Sequence, residues 1–264
     1  MKQNLSKVIA DDICCHNTNL YNDFLKLSNR NELAYPYLTI PTSEYCQADI
    51  RVVVENRETN GWGDKELKEG CLKSINDMIS IYDIKINEDW DYLGVIWPMY
   101  IALRGLSEGD NPYDILKDKV GFMHSNVALI GREYDKYGYD SSIKALLIRA
   151  QDSFLRASRP HILLLGIGFG TKGHTEKNYL EILEGTFLGK LIRRERIEKC
   201  ETPLYRLFFE NSGDMIIFGY GHPQGLPFRP IVDFLTEFLI KHIRNSNKIS
   251  EQGSIYSVSL KSYF

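Results

Sequence analysis

The chain has 264 residues, 43% of them hydrophobic and 25% charged, with 32 Lys and Arg against 35 Asp and Glu for a formal net charge of -3. At roughly 150 residues per domain this length suits one large domain or two small ones, and the composition excludes a disordered chain, a collagen, a coiled-coil rod and a disulfide scaffold. So balanced a charge gives no whole-molecule field for a polyanion, and a nucleic-acid partner would have to be met by a local patch.

Five cysteines, Cys14, Cys15, Cys46, Cys71 and Cys200, form an odd set with no C-x-x-C pair. They read as reduced thiols of a cytoplasmic protein, and no metal is expected. Lys2 and Lys7 lead into Asp11, Asp12 and His16 where a signal peptide needs an apolar core, and no run reaches 18 apolar residues. Neither export by that route nor a membrane partner is expected. Without a repeat or a low-complexity stretch, residues 1–264 read as one domain.

In chain order, Ile50 to Val54 is the first β-rich run, and it feeds a polar loop, Glu55-Asn56-Arg57-Glu58-Thr59-Asn60-Gly61-Trp62-Gly63. Leu67, Cys71, Ile75, Met78, Ile79 and Tyr82 follow helical spacing, and the segment from Asp89 to Leu106, with Trp90, Trp97 and Pro98, reads as an interrupted helix. Ser125-Asn126 introduces a second strand from Val127 to Ile130. Behind Ser141 and Ser142, a helix is predicted through Ile143, Leu146, Leu147, Ala150 and Phe154. A third strand, Ile162 to Leu165, leads into Gly166-Ile167-Gly168-Phe169-Gly170-Thr171-Lys172-Gly173, which contains G-x-G-x-x-G. The motif sits on a middle strand, and the acids downstream, Glu195 and Glu198, lie in a charged stretch. A dinucleotide site is therefore not expected, nor any organic cofactor.

Lys190 to Arg206 carries Lys190, Arg193, Arg194, Arg196, Lys199 and Arg206 against Glu195, Glu198 and Glu201. It reads first as a solvated helix face with i to i+4 ion pairs, and Arg193 and Arg194 are candidate phosphate contacts. A fourth strand, Met215 to Phe218, opens into Gly219-Tyr220-Gly221-His222-Pro223-Gln224-Gly225-Leu226-Pro227-Phe228-Arg229-Pro230. Pro230 then starts a helix through Ile231, Phe234, Leu235, Phe238, Leu239 and Ile243, because a first-turn proline lacks only an N–H that would be unpaired anyway. The tail beyond Asn245 is polar and reads as frayed or as an added edge element. Continuous apolar strands alternating with helices predict an α/β fold, a three-layer sandwich with a central, largely parallel sheet, whose sites gather at the carboxyl ends of the strands.

Three strand ends carry the densest chemistry: Asn56 to Gly63, Asn126, and His222 to Leu226. Taken singly, each reads as readily as a turn or a satisfied structural residue. Together, in their order and setting, they resemble the uracil-DNA glycosylase superfamily. Its water-activating loop, GQDPYH in the best-known branch, places Asn56 and Arg57 at the Gly-Gln, Glu58 at the carboxylate, and Thr59, Asn60 and Gly61 at the Pro-Tyr-His. Its late loop, HPSPLS, looks like His222-Pro223-Gln224-Gly225-Leu226-Pro227, with His222 at the histidine that stabilises the departing base and Leu226 at the wedge pushed into the duplex. Asn126 looks like its base-reading asparagine, and Glu58-Thr59-Asn60-Gly61-Trp62-Gly63 is similar to a divergent branch. The resemblance spans about residues 33–243 and leaves the termini peripheral.

The resemblance implies a monomeric, monofunctional glycosylase acting on single- or double-stranded DNA, with roles in repair or in defence against phage carrying modified DNA. Cleaving an N-glycosidic bond builds positive charge on the sugar and negative charge on the base, so a carboxylate and a donor are needed on opposite sides. Glu58 and His222 are the right types. Asn60 stands where the archetype has a tyrosine against the pyrimidine 5-position, which implies a pocket open to 5-substituted bases. Arg57 could hold Glu58 ionised, pair with phosphate or sugar, or mark an inactive site. Gly168, Gly170 and Lys172 are assigned to a glycine-rich loop near the DNA backbone. The alternative is an inactive nucleic-acid or nucleobase-binding module of the same fold, serving as sensor or inhibitor.

Overall fold

A computed structural model of the chain describes residues 2–28, 33–58, 119–132, 141–169, 175–221 and 229–251. In order these form α1 (Lys2–Leu25), β1 (Leu33–Pro36), α2 (Ser43–Gln47), β2 (Ile50–Glu58), β3 (Val120–Ala128), β4 (Ile130–Arg132), α3 (Ser141–Ser158), β5 (Ile162–Leu165), α4 (Thr175–Glu184), β6 (Leu191–Arg196), β7 (Leu204–Phe209), β8 (Ile216–Tyr220) and α5 (Arg229–Glu251). The helices predicted around residues 67–82 and 89–106 lie outside the described residues.

Six strands make one sheet in the order β3-β2-β5-β8-β7-β6, and β1 and β4 form a separate antiparallel pair. β3, β2, β5 and β8 are mutually parallel, whereas β7 runs antiparallel to β8 and β6 antiparallel to β7. The expected α/β class and mostly parallel central sheet are therefore present, and both faces of the sheet are covered by helices.

Alternation along each strand explains why the runs are apolar throughout. Val52 and Val54, Ile162 and Leu164, Ile216 and Phe218 pack on one face with Ile231, Leu235, Phe238 and Leu239 of α5. Val53, Leu163, Leu165 and Ile217 pack on the other with residues of α1, α3 and α4. A parallel strand buried on both sides has no polar face to show. α3 buries Ile143, Leu146, Leu147, Ala150 and Phe154, the stripe expected from its spacing.

Several elements differ from the sequence reading, and α5 continues as helix to Glu251 where the chain beyond Asn245 reads as frayed or as an added edge element. Residues 55–58 are strand, because β2 continues beside β3 as far as the Glu58 and Ala128 pair. β3 starts at Val120, ahead of the predicted Val127, through polar His124, Ser125 and Asn126. β8 runs on through Gly219 to Tyr220. Lys190 to Arg206 is not a helix face: Leu191–Arg196 and Leu204–Phe209 pair antiparallel as a hairpin extending the sheet. The N-terminus also departs from a peripheral reading. Ile9, Ile13, Leu20 and Phe24 of α1 are buried in the core, and Arg159, just past α3, pairs with Asp12 at 2.8 Å.

Candidate functional site

Among the parallel strands, β2 comes first in the chain and lies between the second, β3, and the third, β5. Connections from the two sides of such a switch point diverge, which opens a crevice outside the carboxyl ends of the strands. β5 pairs with β2 only as far as Leu165 opposite Glu55, while β2 continues along β3 with Asn56 opposite Asn126 and Glu58 opposite Ala128. Asn56, Arg57 and Glu58 thus stand beyond the end of β5.

Two glycines shape the β5 side. A Cβ on Gly166 would lie 2.7 Å from Asn56 Oδ1 and 3.0 Å from Tyr220 Cε2, so no larger residue fits there without displacing its neighbours. Gly168 adopts φ 108°, a region costly for residues with a Cβ. The N–H groups of Gly168 and Phe169 both donate to the Tyr220 carbonyl, at 3.2 and 3.1 Å, which ties the turn after β5 to the end of β8.

Asn56 is half-buried, and its Nδ2 donates to His124 Nε2 at 3.0 Å. His124 Nδ1 is 2.7 Å from the Tyr37 hydroxyl, with the two rings edge-on at 5.3 Å. Burial pushes the His124 pKa down to about 4, so the imidazole is neutral. Asn126 is 4% exposed and sits level with Asn56 on the neighbouring strand.

Glu55 faces the opposite layer. It is fully buried, and Gln151 Nε2 of α3 donates to both of its carboxylate oxygens at 2.7 and 2.9 Å. Burial raises its pKa to about 8, against a smaller opposing effect of the Gln151 hydrogen bonds. Its register neighbour Ser125 accepts from Thr39 Oγ1 at 3.3 Å, and the Thr39 carbonyl accepts from Asn17 Nδ2 at 2.8 Å. This buried acid supports the sheet from beneath the crevice and is sealed from it.

The structure therefore brings together Asn56, Arg57, the backbone of Glu58, Asn126 and Gly168 at one end of the sheet. β8 ends two residues before His222. Asn60, Gly170, Lys172, His222 and Leu226 lie outside the described residues. Arg193 and Arg194 stand apart, on the edge strand β6: Arg194 is level with Leu207, Ile217 and Leu163, below the carboxyl ends. Each already has a carboxylate, Glu195 at 2.8 Å for Arg193 and Glu176 at 3.0 Å for Arg194, and Arg193 lies over the Phe208 ring at 4.0 Å.

Sequence reasoning did not single out His124, Tyr37, Glu55 or Gln151. A histidine two residues before Asn126 in a strand, and an acid at the end of an apolar run, were the available signals. Nothing local links Tyr37 to His124, 87 positions away. Among the described residues no group of three or more His, Cys, Asp and Glu could hold a metal ion, and no helix is long and apolar enough to cross a membrane. No protein-family model matches the chain, and no curated protein matches it either.

Proposed function

We propose that the chain is a hydrolase of the DNA glycosylase type, which cleaves the N-glycosidic bond of a flipped uracil or modified pyrimidine. The observation that supports this most is the pairing of Asn56 with Asn126 beyond the end of β5, on a strand that continues to Glu58. Two adjacent carboxamides offer donors and acceptors to the edge of a base. In this reading Glu58 orients the attacking water and stabilises the cationic sugar, while His222, two residues past β8, donates to the base as it leaves. Asn60 leaves the 5-position of the pyrimidine open, and Leu226 fills the stack that the flipped nucleotide vacates.

A second reading, a nucleobase-binding module without turnover, draws on Arg57. Its Nε is buried without a hydrogen-bond partner among the described residues, a donor that a bound base or phosphate would satisfy without any bond being cleaved.

The test is an abasic-site assay on single- and double-stranded DNAs carrying uracil, 5-substituted cytosines or glucosylated bases. Turnover is expected on at least one of them, with a loss of about 10²- to 10⁴-fold in Glu58→Gln, the usual scale for removing an acid-base group. DNA bound without turnover would leave the binding module, and neither binding nor turnover would overturn both readings.

A further inference from the structure

Three side chains from three separate parts of the chain stand in line at the crevice. Tyr37, just past β1, is 1% exposed, and its backbone N–H donates to the Leu129 carbonyl at 2.6 Å, so the start of the line is fixed in the core. Its hydroxyl meets His124 Nδ1 at 2.7 Å, and His124 Nε2 meets Asn56 Nδ2 at 3.0 Å. A neutral imidazole has one donor and one acceptor. Facing an amide N–H, Nε2 accepts, so the ring proton sits on Nδ1 and is donated to the Tyr37 oxygen. With its NH2 held by the ring, Asn56 has only Oδ1 left to offer.

Oδ1 is buried and has no hydrogen-bond partner among the described residues. It points to Gly166, where a Cβ would come within 2.7 Å of it. A buried acceptor without a partner is costly, and Oδ1 therefore stands as an acceptor for a donor that the described residues do not supply.

We infer that Tyr37 and His124 are positioning residues: they fix the Asn56 carboxamide with its carbonyl oxygen toward the crevice, where it accepts a hydrogen bond from an N–H on the edge of the bound pyrimidine. The inference rests on the crevice being a base pocket, as proposed, and it adds the sense of one hydrogen bond in that pocket. A site built to accept an N–H rejects a ligand lacking one far better than an apolar pocket rejects a change of shape.

Two measurements test it. In the free full-length protein, 15N NMR of the imidazole is expected to show His124 neutral at pH 7 with the proton on Nδ1; a proton on Nε2 would overturn the assignment, because Asn56 would then present its NH2. The second measurement compares binding of oligonucleotides carrying uracil, cytosine or an abasic analogue. The wild type is expected to bind uracil or cytosine at least 10-fold more tightly than the abasic analogue. Tyr37→Phe and His124→Phe should each shrink that margin about 10-fold with abasic affinity unchanged, and His124→Gln, which keeps an acceptor near Nε2, should restore most of it. A wild-type margin that the variants leave intact would overturn the positioning role alone, whereas no margin in the wild type would overturn the base pocket and this inference with it.

Discussion

Glu55 and Asn56 are adjacent in sequence, yet strand alternation gives them different tasks. Glu55 is held by Gln151 beneath the sheet, while Asn56 reaches His124 at the crevice. Gly166 lies between Asn56 and Tyr220 and is the residue on which the approach depends. Gly166→Ala is expected to cost about 1 to 3 kcal/mol, the range for overpacking a filled site, measured by denaturant unfolding. It should also displace the Asn56 amide, seen as a shift of its side-chain NMR signals. A variant as stable as the wild type with an unmoved Asn56 would show that this side of the crevice yields easily.

The elements differ in how far the sequence revealed them. α3, α5 and the apolar centres of β2, β5 and β8 were legible because burial on one stripe or on both faces leaves an unmistakable pattern. α1 was not, since its buried stripe of Ile9, Ile13, Leu20 and Phe24 is interrupted by His16 and Asn17, which are buried through hydrogen bonds to Ser153 and the Thr39 carbonyl. The hairpin of β6 and β7 reads as a helix in sequence because its cross-strand and neighbouring charges mimic an ion-paired helix face. Charged residues on an outer strand are a common guard against edge-to-edge pairing, and only pairing partners distinguish the two. At the site, the ends of β2 and β3 were legible from residue type and order, but the Tyr37 and His124 link needed the fold. If α1 belongs to the core, Ile13→Ala should cost about 2 to 5 kcal/mol, whereas Leu5→Ala, at an exposed position, should stay within about 0.5 kcal/mol. Equal small effects in chemical denaturation would return α1 to the periphery.

For the whole molecule, the buried titratable groups set opposite limbs of stability against pH. His16, 3% exposed, and His124 both have pKa values pushed down by burial to about 4. The unfolded chain therefore binds more protons at these sites between pH 4 and 6.5, and stability rises with pH across that window. Glu55 acts the other way: its pKa is raised by burial to about 8, so the folded chain keeps a proton that the unfolded chain releases above about pH 4.5, and stability falls as pH rises to 8. Two rising groups against one falling group give a net gain up to about pH 6.5. Beyond that only the falling limb remains, amounting to about 2 kcal/mol between pH 6.5 and 8 at 1.36 kcal/mol per unit. His161, also lowered to about 4 but solvent-exposed, and the half-buried His242, lowered by burial, add smaller contributions of the same sign to the acid limb. Thermal unfolding from pH 4.5 to 8.5 should therefore show a maximum near pH 6.5. Glu55→Gln, which replaces the protonated acid by a neutral group of the same shape, should flatten the alkaline limb and leave the acid limb in place. An alkaline limb that survives this substitution would mean that Glu55 is ionised in the folded protein, and that Gln151 stabilises its charge more than burial penalises it.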